Sequence, residues 1–140
     1  MSCRLSELVV DCADPVALSR FWCAVLDYVE LGREAVDDVI EIGPPSGLGG
    51  AAPTLVFSRT TEPRAGKLRL HFDVNPVDRD QDAELERLLS LGARPADVVL
   101  TGEESWHVLR DPEGNEFCLL RRRLAELPYA AQIGDTAVAE

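Results

Sequence analysis

The sequence runs twice through one order of predicted secondary structure, and this repeat limits the fold more than any other feature. A strand at Leu5–Cys12 is followed by one helix and three short strands, and a strand at Lys67–Asn75 begins the same order again. A shift of 64 residues brings Glu7 onto His71 and keeps the later elements in step. Repeats of this kind pack two similar units around a shared centre. The repeat therefore predicts an α+β fold of two tandem βαβββ modules.

The individual elements are recognised by their periodicity. Period-two alternation of apolar and polar residues in Leu5–Cys12 predicts a half-buried strand. Asp14 followed by Pro15 suits the start of a helix. One apolar face of that helix would carry residues at the spacing i, i+3, i+4, i+7 and i+8, which are Leu18, Phe21, Trp22, Val25 and Leu26.

Charge and composition argue against several classes of partner. The formal net charge is −11, so the surface repels phosphate backbones and anionic lipids, and we expect neither a nucleic-acid nor a membrane partner. The start of the chain has no apolar leader, which predicts a cytoplasmic location. The cysteines form no C-x-x-C pair and are expected to be thiols; they are Cys3, Cys12, Cys23 and Cys118.

Several segments resemble the vicinal oxygen chelate superfamily and, within it, the glyoxalase/bleomycin resistance/dioxygenase proteins. These segments are Leu8–Pro15, Phe21-Trp22, Leu26–Tyr28, His71–Val74 and Asp111–Leu120. The resemblance implies modules at about residues 4–60 and 66–122 of a single glyoxalase-like domain at 1–123. It further implies a curved eight-stranded mixed sheet around a small-molecule cavity, and a homodimer. The 124–140 segment is left as a C-terminal tail.

Strand parity selects the residues expected to line that cavity. If the apolar residues of the two repeat-opening strands meet the helices, the polar residues face the other way. We therefore expect Glu7 and Asp73 to be candidate catalytic carboxylates, and Asp11 and Asn75 to contact the ligand. A wet cavity is favoured over bulk solvent as the reason for a polar face on these strands.

Two further ligand-binding candidates come from the last hairpin. A five-residue turn at Asp111–Asn115 would pair Arg110 with Glu116, Val108 with Cys118, and Trp106 with Leu120. Cys118 and Trp106 would then share the inward face, where an indole can stack on a planar ligand. Plain core packing of Trp106 is an equal alternative.

The resemblance also implies positions for a divalent metal. Glu7 and His71 match the first two ligand positions of metal-using relatives, and Glu116 gives an O/N/O set suited to Zn, Mn, Fe or Ni. Cys118 stands where such relatives commonly have Glu, so it is an alternative ligand that would favour zinc. A metal-free site, with His71 hydrogen-bonded to Glu7, is the third alternative.

Two classes of function follow. The first is a metal-free or weakly metal-dependent protein of resistance or sequestration type that binds a small molecule, for which an acidic surface suits a cation. The second is a divalent-metal-dependent lyase, isomerase or dioxygenase acting on vicinal oxygens. The sequence leaves open whether the protein is an enzyme.

Overall fold

The computed structural model describes residues 2–126, and these form two compact units that meet in the sequence at Ala65 and Gly66. Residues 2–126 contain two helices and eight strands. Of the predicted 124–140 tail, residues 127–140 lie outside the described part.

The first unit has the order strand, helix and three strands. Its elements are β1 (Glu7–Cys12), α1 (Pro15–Leu26), β2 (Val29–Glu34), β3 (Val39–Gly43) and β4 (Thr54–Arg59). The sheet order is β1-β4-β3-β2, with β1 parallel to β4 and the other neighbours antiparallel. The Asp14 carboxylate caps α1 by accepting from the backbone N–H of Ala17 at 3.1 Å, as the sequence predicts.

The core of the first unit lies between α1 and one face of this sheet. α1 packs on β3 and β4, where the alternate strand residues are apolar and buried. These buried residues are Cys12, Leu18, Phe21, Trp22, Ile40, Ile42, Leu55 and Phe57. The opposite face of the same sheet is therefore the one that α1 leaves uncovered.

The second unit repeats the order of the first. Its elements are β5 (Phe72–Val74), α2 (Gln81–Ser90), β6 (Arg94–Pro95), β7 (His107–Arg110) and β8 (Glu116–Leu119). The sheet order is β5-β8-β7-β6, with β5 parallel to β8. Its buried apolar residues include Leu88, Leu109, Phe117 and Leu119. The N-cap of α2 is Asp80, whose carboxylate accepts from the N–H of Ala83 at 2.9 Å.

The main difference from the sequence prediction is the length of the strands in the second unit. The alternation at Lys67–Asn75 predicts a nine-residue strand, but β5 has only three residues and Leu70 is 79% exposed. The parallel partner β8 begins at Glu116, directly after a turn, so earlier residues have no neighbouring strand with which to pair. Hydrogen-bonding partners, and not alternation alone, therefore set the length of this strand.

The fold class is confirmed. Two βαβββ modules each build a four-stranded mixed sheet, giving an α+β protein. In residues 2–126 neither helix is long and apolar enough to cross a membrane.

Candidate functional site

The face of the second sheet opposite the buried Phe117 and Leu119 carries three side chains with metal-ligand chemistry. Parallel pairing sets Asp73 of β5 opposite Cys118 of β8, and His71 immediately precedes β5. Because strand side chains alternate, these three lie on the opposite side from the buried Phe117 and Leu119.

The three side chains are close enough to act together. The Nε2 atom of His71 lies 3.2 Å from Oδ1 of Asp73. One potential ligand atom from each of His71, Asp73 and Cys118 lies within 4.8 Å of the others. His71 and Asp73 are about half exposed at the side chain, whereas Cys118 is half-buried. We call this set the His71–Asp73–Cys118 cluster.

The electrostatics of this cluster keep the thiol protonated when no metal is bound. Burial raises the pKa of Cys118, and the Asp73 carboxylate raises it further through its charge and its hydrogen bond with the thiol. The negative charge of Glu116 acts in the same direction, and Lys67 opposes it weakly. A thiol held in this way is a poor free nucleophile, which argues against covalent catalysis by Cys118.

Glu116, the third predicted metal ligand, has a different partner. Its Oε2 atom lies 3.5 Å from Nζ of Lys67, and the ladder pairs its backbone with Arg110. The predicted pairing of Val108 with Cys118 is also found. Glu116 therefore stands on the same strand as Cys118, but it is not one of the three clustered donors.

The uncovered face of the first sheet is acidic. Glu7 and Asp11 are exposed on β1, where they pair with Thr54 and Ser58 of β4. Glu41 on β3 shares this face, and its Oε1 accepts a hydrogen bond of 3.1 Å from the hydroxyl of Thr54, which is fully buried. Glu7, predicted as a metal ligand and as a catalytic carboxylate, thus belongs to the first unit.

Sequence reasoning missed Glu41, although a signal for it exists. Glu41 stands between Ile40 and Ile42, which are both fully buried, so alternation alone predicts that its side chain points to the other face. The hydroxyl of Thr54 restricts the carboxylate to one direction. A fixed acceptor on this face is the geometry that recognises a hydrogen-bond donor of positive charge.

The two remaining predicted ligand-binding residues lie at the margins of the second sheet. The side-chain amide of Asn75 donates to the carbonyl oxygen of Arg122 at 2.8 Å, which ties the end of β5 to the segment after β8. Trp106 directly precedes β7, and 41% of its surface is exposed. An indole with this exposure has surface free for stacking, and its contact with a ligand stays a prediction.

The turn between β7 and β8 holds the strand that carries Cys118. One carboxylate oxygen of Asp111 accepts from the backbone N–H groups of Glu113 and Asn115, at 2.9 and 3.0 Å. The other accepts from the side-chain amide of Asn115 at 3.0 Å. Asp111 is 4% exposed. This segment, which carried much of the family resemblance, therefore acts as structural support for the cluster.

A separate cavity lies on the helix side of the first unit, between α1 and the edge strand β2. Its volume is about 500 Å³, and it is lined by Ser19, Arg20, Cys23, Ala24, Tyr28, Glu30, Arg33 and Ile42. Burial raises the pKa of Cys23 to about 11, with a smaller contribution from Glu30. Arg33 is already bound to Glu30 and Asp37.

Comparison with known proteins agrees with the fold. Residues 7–120 match the family model described as a glyoxalase-like domain. No curated protein matches the chain. Among solved structures, a glyoxalase/bleomycin resistance protein/dioxygenase family enzyme from Burkholderia phytofirmans PsJN is 21% identical, with a TM-score of 0.57 over 84% of this chain and 97% of that one.

Fosfomycin resistance proteins named FosX are also similar in fold. The Mesorhizobium loti protein is 17% identical, with a TM-score of 0.60 over 85% of this chain and 92% of its own. The Listeria monocytogenes protein is 16% identical, with a TM-score of 0.62 over 91% and 97%. Since the family model covers most of the sequence, the chain belongs to the glyoxalase-like domain family of the vicinal oxygen chelate superfamily.

Proposed function

We propose that the protein binds a small organic cation, without requiring a metal, in a role of resistance or sequestration. The observation that carries this proposal is the acidic character of the sheet face that α1 leaves uncovered. Glu7, Asp11 and Glu41 project from that face, and among its described strand residues none is Lys or Arg. A carboxylate that loses water to a ligand gains most from an ammonium or guanidinium partner.

The net charge of the whole chain supports the same ligand class. With a net charge of −11, the protein attracts cations over long range and repels anions. Glu41 is already oriented by Thr54, so a ligand that pairs with it does not have to order a free side chain. The FosX neighbours are named as resistance proteins, and this supports a resistance role without indicating the ligand.

The experiment is a thermal-shift screen of matched organic cations and anions with a chelator present throughout. We expect cations to raise the melting temperature and anions of equal size to leave it unchanged. Asp11→Asn and Glu7→Gln should each weaken cation binding, because each removes a charge from the acidic face. Glu62→Gln is the matched control, since Glu62 is an exposed carboxylate outside the strands. Equal shifts by cations and anions, or equal weakening by Glu62→Gln, would refute the proposal.

A second candidate function is a divalent-metal-dependent lyase, isomerase or dioxygenase, and the His71–Asp73–Cys118 cluster favours it. Its mixed N/O/S donors fit a divalent ion by type and proximity. A bound metal would polarise vicinal oxygens of a substrate. For proton transfer the sequence predicts Glu7 and Asp73, and an Asp73 that coordinates the ion leaves Glu7 as the candidate base.

Metal content distinguishes this second function from the first. Mass spectrometry of protein purified without chelator should find close to one equivalent of Zn, Mn, Fe or Ni if the second function holds. His71→Ala should then lose that metal, and full retention would remove His71 from the ligand set. The predicted Glu7, His71 and Glu116 set is tested in the same samples by Glu7→Gln and Glu116→Gln.

We also propose that the protein is a cytoplasmic homodimer, because the superfamily resemblance implies paired modules. Light scattering after gel filtration measures the mass directly. A mass of 15.3 kDa at all concentrations would refute the dimer.

A further inference from the structure

The cavity on the helix side of the first unit has the size and the wall chemistry of a second binding site. Ile42 lines it, whereas Glu41, the preceding residue on β3, projects from the opposite face of the sheet. Its volume of about 500 Å³ lies within the range of roughly 300–1,000 Å³ that is typical of small-molecule sites. We propose that this cavity binds an uncharged, largely apolar molecule whose carbonyl oxygen accepts a hydrogen bond from Arg20. Such a molecule is distinct from the organic cation proposed for the acidic face.

The ladder between β2 and β3 directs two charged side chains of the edge strand toward this cavity. It sets Glu30 opposite Ile42 and Arg33 opposite Ile40. Residues directly opposite each other in a ladder project to the same face of the sheet. Glu30 and Arg33 therefore lie on the helix side, with the two buried isoleucines, and α1 forms the facing wall.

The charges around the cavity balance one another. The guanidinium of Arg33 donates from Nε and Nη2 to the two carboxylate oxygens of Glu30, at 2.7 and 3.0 Å, and it also binds Asp37. These contacts lower the pKa of Glu30, so its carboxylate stays ionised at neutral pH. The guanidinium of Arg20 has no ion pair or hydrogen bond within residues 2–126. Two arginines thus offset two carboxylates, although the whole chain has a net charge of −11.

This balance favours an uncharged ligand. A cation would have to displace Arg33 from Glu30 and would be repelled by Arg20. An anion could pair with Arg20, but the net charge of the chain repels it at long range. A carbonyl oxygen loses far less hydration than an ion does on burial, and a guanidinium has five N–H donors that can pair with it.

The rest of the lining suits an apolar body. Burial raises the pKa of Cys23 to about 11, so at neutral pH the cavity wall presents a thiol, which behaves as a small polarizable hydrophobe. Ile42 is fully buried and supplies aliphatic surface. The hydroxyl of Tyr28 donates to the carbonyl oxygen of Pro53 at 2.8 Å, which restricts the ring and leaves its carbon atoms for contact with a ligand.

The experiment uses naphthalene-2-carboxamide as the probe, with the matched carboxylate and amidinium as charged analogues. Each compound is tested for how far it slows alkylation of Cys23 by N-ethylmaleimide, which peptide mass spectrometry locates. At ten times its Kd, the carboxamide should slow labelling of Cys23 about tenfold, because only the empty cavity exposes the thiol. Labelling of the exposed Cys3 should not change, and neither charged analogue should protect Cys23 at the same concentration.

Two pairs of variants locate the probe. Ala24→Leu should fill the cavity and abolish protection, whereas Ala17→Leu, at an exposed position of the same helix outside the cavity, should retain it. Arg20→Met should raise the Kd of the carboxamide, measured by calorimetry, about tenfold through loss of one hydrogen bond to a charged group. Arg69→Met is the matched control, because Arg69 is exposed and lies outside the helices and strands.

Three results would overturn the inference. One is a carboxamide that does not protect Cys23, and another is equal protection by the carboxylate or the amidinium. The third is an unchanged Kd in Arg20→Met, or equal effects of Ala24→Leu and Ala17→Leu. Asp11→Asn, which should weaken cation binding on the acidic face, should leave carboxamide binding unchanged, so that either proposal can fail without the other.

Discussion

Asp111→Ala tests whether the turn between β7 and β8 supports the strand that carries Cys118. The side chain of Asp111 is 4% exposed and accepts three hydrogen bonds, two from backbone N–H groups and one from the amide of Asn115. Alanine removes both acceptor oxygens, and with them these three hydrogen bonds, and leaves the two backbone donors of a tight turn to find water. We expect the variant to fold less stably and to hold Cys118 less firmly.

The magnitude follows from the count and the quality of these bonds. A hydrogen bond to a charged group contributes about 1.5–3 kcal/mol net. The donors at Glu113 and Asn115 are half-buried, so water recovers part of the loss, and we expect Asp111→Ala to cost about 3 kcal/mol. Asp111→Asn keeps a carbonyl oxygen for the two backbone donors, and we expect about 1 kcal/mol.

Urea denaturation followed by tryptophan fluorescence measures both variants against the wild type. The midpoint should fall in the order wild type, Asp111→Asn, Asp111→Ala, with unchanged slopes. Folded Asp111→Ala should also bind a divalent ion at the His71–Asp73–Cys118 cluster more weakly than the wild type, which metal analysis of the purified protein measures. A loss below about 0.5 kcal/mol for Asp111→Ala, or equal losses for both variants, would show that the side-chain bonds do not hold the turn.

Three further predictions concern other parts of the chain. Val36 is 89% exposed and has a φ of 50°, a conformation that is unfavourable for a β-branched residue. Val36→Gly should therefore raise the free energy of unfolding, measured in urea, by about 0.5–1 kcal/mol, and a decrease would contradict this. Hydrogen bonds from backbone N–H groups, that of Thr101 foremost, lower the pKa of Glu104 from 4.5 to about 2. The order that Glu104 gives to its loop should therefore be complete above about pH 4.5 and lost as the pH falls through about 2, which amide chemical shifts against Glu104→Gln will test. Burial raises the pKa of Cys23 to about 11, so at pH 8 its reaction with a disulfide reagent should be much slower than that of exposed Cys3; equal rates would contradict the burial.

Much of the fold could be predicted because each module repeats clear local signals. The three short strands predicted after the first helix are found as β2, β3 and β4, and Asp14 caps α1 as its position before Pro15 indicates. The second unit was harder, because alternation at Lys67–Asn75 continues over residues that have no strand beside them. The N-cap of α2 is Asp80, two residues beyond the position that the repeat aligns with Asp14. The local sequence pattern predicts that a strand is present, but the length of the strand depends on pairing partners that are distant in sequence.

The candidate site was less predictable than the fold, and the reason lies in side-chain direction. The five-residue turn at Asp111–Asn115 correctly predicts that Val108 pairs with Cys118, and parity then places alternate residues on one face. It does not indicate which neighbour each polar group contacts. Lys67, whose amine pairs with Glu116, lies in a segment where the predicted strand does not form, so nothing in the alternation predicts that ion pair.

The donor set of the candidate metal site therefore depends on a contact that follows from the length of one short strand. Because β5 begins only at Phe72, the residues before it are not held in a ladder, and Lys67 is free to reach the Glu116 carboxylate. His71, at the junction, contacts Asp73, and Asp73 is opposite Cys118. A longer β5 would hold Lys67 in a sheet and release Glu116 as an oxygen donor beside His71. The early end of this strand thus favours sulfur over a second carboxylate, and with it a zinc-class ion over Mg²⁺ or Mn²⁺ wherever a metal binds.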